Sequence, residues 1–315
     1  MAGWKTTLRQ TGRFMLDAVE SRTAWPSRPA QLTFEITAAC DARCIHCPRQ
    51  EMDRPKRPMD FELFTRMIDQ AAEMRIPELV PNGYGEILTL PRLGEYLAYI
   101  RSKAHRFKLL LNTNGYNFTE EKLRLLFDHE LDGINITIDG ATAETAQAIR
   151  VGLKTERIER NIHRLLEMRR ERGVRRPFVR VGMVALPQNV HEGPMFLRKW
   201  EGVADAVVVA HMSDRLGSLD LADPHAGKVD TPSACVRPFR ELNIWSSGMA
   251  VLCCEDWNQQ HVVGDLQHET LQEIWRGGAL TAARSAHSRG CGADIAICAA
   301  CNHWMQPPRF VKLWN

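Results

Sequence analysis

The chain has 315 residues, 44% of them hydrophobic and 25% charged, a composition typical of a globular protein with one large and one smaller domain. The net charge of +3 gives no argument for a nucleic-acid partner. No apolar run approaches the roughly 18 residues of a membrane span, and no signal peptide is recognisable. We therefore expect a cytoplasmic protein without a membrane partner, in which the nine cysteines are metal ligands or reactive thiols rather than disulfides.

The first part of the chain predicts a helix and then repeated strand–helix units. Residues 4–20 predict an amphipathic helix within an N-terminal extension, 1–30. Residues 31–211 then alternate short apolar strands with amphipathic helices, which predicts a parallel α/β sheet with its ligand site at the carboxyl ends of the strands. The predicted strands are 32–37, 78–80, 107–111, 133–138, 178–184 and 206–209. The predicted helices begin after Asp60 and at Thr119, and cover 90–100, 154–172 and 191–200.

The loop after the first strand carries three cysteines, Cys40, Cys44 and Cys47, at CxxxCxxC spacing. Structural zinc requires four closed ligands, whereas three thiolates can hold an iron–sulfur cluster with one iron open. The alternative is that these cysteines are small buried hydrophobic residues. The turn Gly83–Glu86 and the segments Asn112–Gly115 and Thr137–Gly140 follow later strands, so we expect them to surround the same pocket.

Two basic segments invite a nucleic-acid interpretation that we set aside. Arg54 to Pro58 is most simply a solvated loop. The arginines between Arg164 and Arg176 lie in the last turns of a predicted helix and its exit, where cations oppose the helix dipole. We therefore predict no nucleic-acid partner.

These motifs resemble the radical S-adenosylmethionine (SAM) family over about residues 31–211. The resemblance implies a partial (β/α)6 barrel in which Cys40, Cys44 and Cys47 hold a 4Fe–4S cluster and SAM chelates its open iron. An external flavodoxin- or ferredoxin-like donor would supply the electron that cleaves SAM to a 5′-deoxyadenosyl radical. The residues implied to bind SAM are Glu86 for its amino group, Gly83 and Gly85 for close backbone approach, Asn112 and Thr137 for the ribose, and His46 beside the adenine, in place of the usual aromatic residue.

A polar linker, 212–231, separates this region from a second one, 232–315, that contains the other six cysteines. A hairpin is predicted over 240–254 and a helix over 270–275. The region resembles a SPASM/twitch domain, and its cysteine spacing resembles the 2-deoxy-scyllo-inosamine dehydrogenase subgroup. The resemblance implies an auxiliary 4Fe–4S cluster, with a zinc site as the alternative. The four implied ligands are Cys235, Cys253, Cys298 and Cys301.

Two cysteines remain, Cys254 and Cys291. Cys253 and Cys254 are adjacent on a predicted strand, so their side chains are expected to point to opposite faces. If Cys253 binds the cluster, Cys254 can present a thiol toward the barrel and return a hydrogen atom to a substrate radical, an arrangement similar to neomycin C epimerase. The alternative is that Cys254 is a spectator or the true ligand. Cys291 is either a ligand or a free thiol.

The first function hypothesis is therefore a radical SAM epimerase that inverts a sugar carbon of an aminoglycoside, with Cys254 as the hydrogen donor. The second is a dehydrogenase that oxidises an aminosugar or aminocyclitol alcohol, assisted by His211 or Arg215. A peptide-modifying maturase and a non-enzymatic iron–sulfur scaffold are further alternatives. A polyamine sugar substrate predicts acidic side chains at the barrel mouth, with candidates Asp139, Asp214, Glu255 and Asp256.

Overall fold

The computed structural model describes residues 25–213, 235–301 and 310–313. The helix predicted over 4–20 and most of the linker predicted over 212–231 lie outside the described residues, as do Asp214 and Arg215 and the side chain of His211. The beginning of that linker is packed rather than open, because Met212 is buried beside Ile149 and Leu186.

A central sheet of ten strands organises the described chain. Six of its strands come from the predicted strand–helix units. They are β1 (Gln31–Phe34), β3 (Glu78–Pro81), β4 (Lys108–Thr113), β5 (Gly133–Thr137), β7 (Phe178–Ala185) and β8 (Ala206–His211). They run parallel to one another in the order β1-β3-β4-β5-β7-β8. A separate two-stranded ribbon pairs β2 (Arg43–Cys44) with β6 (Arg150–Val151). The prediction of a parallel α/β sheet is confirmed.

Two of the helices between these strands begin where the sequence predicts caps. The Asp60 carboxylate accepts from the backbone N–H groups of Glu62 and Leu63, and the Thr119 hydroxyl accepts from that of Lys122. The helices of this region are α1 (Phe61–Glu73), α2 (Leu93–Arg101), α3 (Glu120–Asp128), α4 (Ala143–Ile149), α5 (Thr155–Glu171) and α6 (Gly193–Trp200). Short 3-10 turns occupy Pro48–Glu51, Ile87–Thr89 and Val190–Glu192.

The C-terminal region extends the same sheet instead of forming a separate one. Strand β9 (Glu241–Ile244) pairs in parallel with β1, and β10 (Met249–Val251) and β11 (Val262–Asp265) follow in antiparallel order. At the other edge, β12 (Phe310–Leu313) pairs antiparallel with β8. The helices here are α7 (Arg237–Arg240), α8 (Leu271–Arg276), α9 (Gly278–Ser288) and α10 (Ala296–Ala299), with a 3-10 turn at Gly292–Asp294.

The core lies between one face of the sheet and the helices. Leu32, Leu109, Val181 and Val207 from four strands are fully buried, as is Phe64 from α1. Successive side chains of a strand point to opposite faces, and on the other face Thr33, Asn112 and Thr137 carry polar side chains. These polar residues face the cavity described below.

Several sequence predictions need correction. The loop predicted to be solvated is exposed at residues 55–58, but Arg54 is 6% exposed and paired with Glu35. The strand predicted to continue to Cys254 ends at Val251, so Cys253 and Cys254 lie in the turn after it. The short helix α4 and the longer helix α9 were not predicted. The arginines of α5 and its exit are paired with carboxylates, as in Arg169–Asp205, Arg172–Asp128 and Arg176–Asp132.

Candidate active site

A cavity of about 240 Å³ opens at the carboxyl ends of the parallel strands. It brings together residues that are far apart in the sequence, from the cysteine loop, the strand ends and the turn after β10. Its lining includes every residue predicted to bind SAM and the first cluster, namely Cys40, Cys44, His46, Cys47, Gly83, Gly85, Glu86, Asn112 and Thr137. Cys254 lines the same cavity.

The β2–β6 ribbon fixes the cysteine loop against the sheet. Cys44 pairs with Arg150 across this ribbon, the Ile45 N–H donates to the Ile149 carbonyl at 3.0 Å, and the Cys47 N–H donates to the Cys44 carbonyl at 3.1 Å. Burial raises the pKa of Cys40 to about 12. Burial also raises the pKa of Cys44 to about 11, although the nearby Arg150 lowers it. Buried thiols of this kind need a cationic partner before they ionise, and iron supplies one.

A buried ion pair between Arg150 and Asp139 holds the β2–β6 ribbon in place. Arg150 Nε donates to Asp139 Oδ2 at 2.8 Å, and Asp139 Oδ1 accepts from the Val184 N–H at 2.7 Å. Asp139 is fully buried and adopts a φ of 66°. His46 Nε2 lies 3.5 Å from the same Asp139 Oδ2. Asp139 therefore organises the floor beneath Cys44 and is not free to receive a substrate ammonium group.

Glu86, in the turn after β3, is hydrogen-bonded to the end of β4. Its Oε1 accepts from the Thr113 hydroxyl at 2.7 Å and from the Leu88 N–H at 3.0 Å, and its Oε2 accepts from the Asn114 N–H at 2.7 Å. Burial raises the pKa of Glu86 against the opposing effect of these hydrogen bonds. A carboxylate held so firmly in the cavity wall is suited to receive an ammonium group.

The two glycines of this turn have a packing role beside the close backbone approach predicted for them. A Cβ on Gly85 would lie 2.0 Å from the Thr37 carbonyl oxygen, and a Cβ on Gly83 would lie 2.5 Å from the Glu35 side chain. The missing side chains therefore let the turn pack against the end of β1, as well as leaving the cavity open. This packing brings the Glu86 N–H to the Ala39 carbonyl at 2.8 Å.

Asn112 and Thr137 lie on the cavity side of β4 and β5. Asn112 Oδ1 accepts from Asn135 Nδ2 at 3.1 Å, and Asn135 Oδ1 accepts from Arg180 Nε at 2.8 Å. This chain of hydrogen bonds fixes the orientation of the Asn112 amide. Thr137 pairs in register with Gly182, which has no side chain to occupy the cavity.

A second cavity lies in the C-terminal region. Its lining includes Cys235, Cys253, Cys298 and Cys301, the four cysteines predicted to bind an auxiliary cluster. Burial raises the pKa of Cys235 and Cys253, and it raises that of Cys298 to about 12. Cys291 does not line this cavity, and its Sγ lies 3.8 Å from the carbonyl of Arg289.

Cys253 and Cys254 are adjacent in sequence but line different cavities. Cys253 lines the second cavity, and Cys254 lines the first. The turn after β10, rather than strand alternation, produces this division. The Tyr84 hydroxyl donates to the Cys254 carbonyl at 2.8 Å, and Arg237 Nη1 contacts the Cys254 sulfur.

The acidic lining expected for a polyamine substrate is not what the described residues show. Asp139 is held by Arg150, and the buried carboxylate of Asp256 accepts from the N–H groups of Gln260 and His261. Glu255 faces the second cavity, where it accepts from the Ser213 hydroxyl at 2.5 Å. Glu86 is the carboxylate that lines the first cavity among the described residues.

Sequence reasoning missed residues that lack a local pattern. Arg150 and Trp245 line the first cavity, and Arg237 and His287 line the second. Tyr84, Thr113 and Asn114 also line the first cavity, but they belong to segments that were predicted to surround it. Arg150 and His287 had no such signal, because their positions depend on a helix that was not predicted.

Comparison with known proteins identifies the two regions. Residues 34–198 match the radical SAM superfamily. The chain belongs to the radical SAM superfamily. Residues 235–302 match SPASM, an iron–sulfur cluster-binding domain. This radical SAM enzyme therefore uses SAM, a 4Fe–4S cluster and auxiliary iron–sulfur, and enzymes of this superfamily act on small molecules or peptides with an external reductant.

Three relatives show the range of this radical SAM family. The tungsten-containing aldehyde ferredoxin oxidoreductase cofactor-modifying protein of Pyrococcus furiosus is 28% identical over 189 residues, 58% of this chain but 51% of that protein. The SAM-dependent 2-deoxy-scyllo-inosamine dehydrogenase of Niallia circulans is 20% identical over 279 residues, 87% of this chain and 93% of that protein. A structure of Streptococcus suis SuiB bound to the precursor peptide SuiA has a TM-score of 0.66 at 13% identity, covering 88% of this chain and 71% of that one.

The same fold is seen in the structure of BtrN with AdoMet and 2-DOIA, with a TM-score of 0.60. The residues present fit the cofactors of the radical SAM family by their donor chemistry, since the three thiols of the CxxxCxxC loop line the first cavity beside Cys254, and four thiols line the second. Among the residues that the structure describes, no three His, Cys, Asp or Glu side chains gather closely enough for a single metal ion. Within the same residues, no helix combines the length and apolar character needed to cross a membrane.

Proposed function

We propose that this radical SAM enzyme is an epimerase that inverts a sugar carbon of an aminoglycoside, with Cys254 as the hydrogen-atom donor. The observation that carries the proposal is the position of Cys254 in the same cavity as Cys40, Cys44 and Cys47, while its neighbour Cys253 faces the second cavity. An epimerase needs a hydrogen donor near the substrate radical and separate from the cluster ligands. The placement of Cys253 and Cys254 in different cavities supports both requirements.

SAM and its cluster, when bound, supply a radical that removes a hydrogen atom from the substrate carbon. The S–H bond of Cys254 then breaks, and its hydrogen atom forms the new C–H bond on the opposite face. The resulting sulfur radical needs one electron and one proton to become a thiol again. The electron comes from the external one-electron reductant and can reach Cys254 from the neighbouring second cavity.

Two residues hold the proposed donor in place. Tyr84 fixes the backbone of Cys254 through its carbonyl, and Arg237 contacts the sulfur. Arg237 also lies 3.7 Å from Glu241, so its guanidinium has an anchor apart from the sulfur. These contacts limit the positions from which the thiol can reach a substrate.

The test combines Cys254→Ala with a reaction in deuterium oxide. We expect the unaltered enzyme, with SAM, a reductant and a panel of aminoglycosides, to place solvent deuterium at the inverted carbon. The Cys254→Ala variant should still form 5′-deoxyadenosine but no inverted product, because the substrate radical finds no donor. Cys291→Ala is the matched control and should behave like the unaltered enzyme. Inverted product from Cys254→Ala would contradict the proposal.

A dehydrogenase is the second candidate, and the Niallia circulans relative favours it because the match covers 93% of that protein. Here the substrate radical loses a proton and an electron, and the product is lighter by two hydrogen atoms. Mass spectrometry separates the two candidates. A ketone product without solvent deuterium would favour the dehydrogenase, and Cys254→Ala would then retain activity.

A further inference from the structure

The second cavity contains a buried histidine that has no part in the proposed reaction. His287, at the end of α9, is 1% exposed and lines the cavity with the four cysteines. Its Nε2 lies 3.5 Å from the Cys298 sulfur, and its Nδ1 lies 3.4 Å from the backbone nitrogen of Cys235. The ring therefore contacts two of the four cysteines, one on each side.

The backbone contact defines which nitrogen carries the proton. The Cys235 N–H is a donor, so His287 Nδ1 must act as the acceptor. A neutral imidazole that accepts at Nδ1 carries its hydrogen on Nε2. The Nε2–H group therefore faces the Cys298 sulfur as a donor.

We propose that His287 is a positioning residue that raises the reduction potential of the auxiliary cluster by donating a hydrogen bond from Nε2 to the Cys298 thiolate. A reduced cluster carries one more negative charge than an oxidised one, and a hydrogen bond to a ligand sulfur stabilises that charge. Such contacts beyond the ligands themselves tune a metal site. The electron enters from the external one-electron reductant or from the substrate.

The neighbouring charged side chains do not replace this donor. Arg237 lines the cavity, but its guanidinium contacts the sulfur of Cys254, which is not one of the four. Glu255 is an acceptor, and its carboxylate receives the Ser213 hydroxyl. His287 differs from both side chains because its Nε2 lies within 3.5 Å of the Cys298 sulfur.

The inference does not depend on which reaction the enzyme performs. In an epimerase the auxiliary cluster must take up an electron before it can pass one to the donor thiol. In a dehydrogenase it must take up the electron that the substrate radical releases. Both reactions need a cluster that can be reduced, so the test reads the cluster itself and needs no substrate.

The experiment measures the midpoint potential of the auxiliary cluster by redox titration followed by electron paramagnetic resonance. It uses the full chain with Cys40, Cys44 and Cys47 replaced by alanine, so that the auxiliary signal is observed alone. In this background we expect His287→Leu to weaken reduction about tenfold, which corresponds to about 59 mV for a one-electron couple. His287→Gln retains a side-chain N–H and should keep most of the potential. His268→Leu, at an exposed position, is the control and should cause no shift.

An unchanged potential in His287→Leu with the cluster retained would overturn the inference, as would an auxiliary cluster missing from the unaltered chain. If His287→Leu fails to fold, pulsed paramagnetic resonance on protein with 15N-labelled histidine gives the second test. We expect a weak nitrogen coupling in the unaltered protein that disappears in His287→Gln. Absence of the coupling in the unaltered protein would contradict the inference and leave the proposed function standing.

Discussion

Single atoms decide the shape of the turn that presents Glu86. The hydrogen atoms of Gly85 and Gly83 face the end of β1, where a methyl group would collide with the Thr37 carbonyl oxygen or the Glu35 side chain. Because protein interiors are closely packed, the backbone of the turn would have to move to accept the added carbon. The three hydrogen bonds that the Glu86 carboxylate accepts would then be broken.

We expect Gly85→Ala to weaken SAM binding at least tenfold and to lower the free energy of unfolding by about 1–3 kcal/mol. Equilibrium dialysis with SAM and denaturant unfolding measure the two effects. Gly193→Ala is the matched control in the same barrel, because its Cβ would meet Met183 Cε at 3.8 Å, an ordinary contact away from the cavity. If Gly85→Ala bound SAM normally, the turn would not be positioned by this packing.

The sequence supports some of these residue assignments and could not support others. Cys40, Cys44 and Cys47 are close in sequence, and their spacing alone predicts that they converge. Arg54 was predicted to be solvated because its neighbours in sequence are polar. Its partners, Glu35 and Trp257, lie 19 and 203 residues away. His287 has the same difficulty, since its contact with Cys235 spans 52 residues. Contacts of this length are set by the fold and leave no local pattern.

At the scale of elements, α4 connects the end of β5 to the ribbon that carries Cys44. Glu192 secures the start of this helix: its carboxylate accepts from the Ala141 N–H at 2.6 Å, and from the hydroxyls of Thr142 at 2.8 Å and Thr145 at 2.6 Å. The helix then ends at Ile149, directly before Arg150 pairs with Cys44. Glu192 therefore helps to position the cysteine loop indirectly, by anchoring α4.

Glu192→Gln tests this anchor through its pH dependence. Burial would raise the pKa of Glu192, but the hydrogen bonds of Thr145, Thr142 and Ala141 prevail and lower it below its ordinary value of 4.5. The stabilisation from the carboxylate is thus complete above about pH 4.5 and is lost as the pH falls through the folded-state pKa. We expect Glu192→Gln to reduce the free energy of unfolding by roughly 1–3 kcal/mol at neutral pH and to flatten its acid dependence.

Denaturant unfolding between neutral and acidic pH measures both effects. Glu156→Gln, on the exposed first turn of α5, provides the comparison and should leave the curve unchanged. A Glu192→Gln curve parallel to that of the unaltered protein would show that this carboxylate does not anchor α4.

The elements themselves were predictable where the pattern is long and repeated. The strands of the barrel and the capped helices α1 and α3 follow from apolar runs and from Asp60 and Thr119. Helix α4 was missed because its seven residues are too few to show a clear period. The turn at Cys253 was missed because β10 ends at Val251, after a register shift between Ala250 and Val251 that the sequence pattern does not reveal.

At the scale of the whole molecule, one ion pair joins the barrel to the C-terminal region. Arg54 donates to both oxygens of Glu35, at 2.5 and 2.8 Å, and its Nε donates to the Trp257 carbonyl at 2.7 Å. Its guanidinium lies 5.3 Å from the centre of the Trp245 ring. Glu35 also accepts from the Tyr84 N–H at 2.9 Å, so the pair links β1, the Glu86 turn and the segment after Cys254.

Arg54→Met leaves the carboxylate of Glu35 buried without its cation, and we expect a loss of roughly 3–5 kcal/mol in the free energy of unfolding. The double variant Arg54→Met with Glu35→Gln should recover part of that loss, because the uncompensated charge is removed. Denaturant unfolding of both single variants and the double variant completes the cycle. Arg92→Met, which breaks an exposed pair with Glu95, should have little effect. Equal losses for Arg54→Met and Arg92→Met would contradict the role of the buried pair.

The pairing of β9 with β1 has a consequence for how these two regions could have been joined. Strand β1 lies inside the sheet, with β3 on one side and β9 on the other. Without the C-terminal region, β1 would become an edge strand with unpaired backbone N–H and C=O groups. Such an edge can pair with a strand of another chain and cause aggregation, which natural sheets avoid. The region that holds the auxiliary cysteines is therefore also a cover for the barrel, and the two could not be exchanged between proteins as independent units without a substitute for β9.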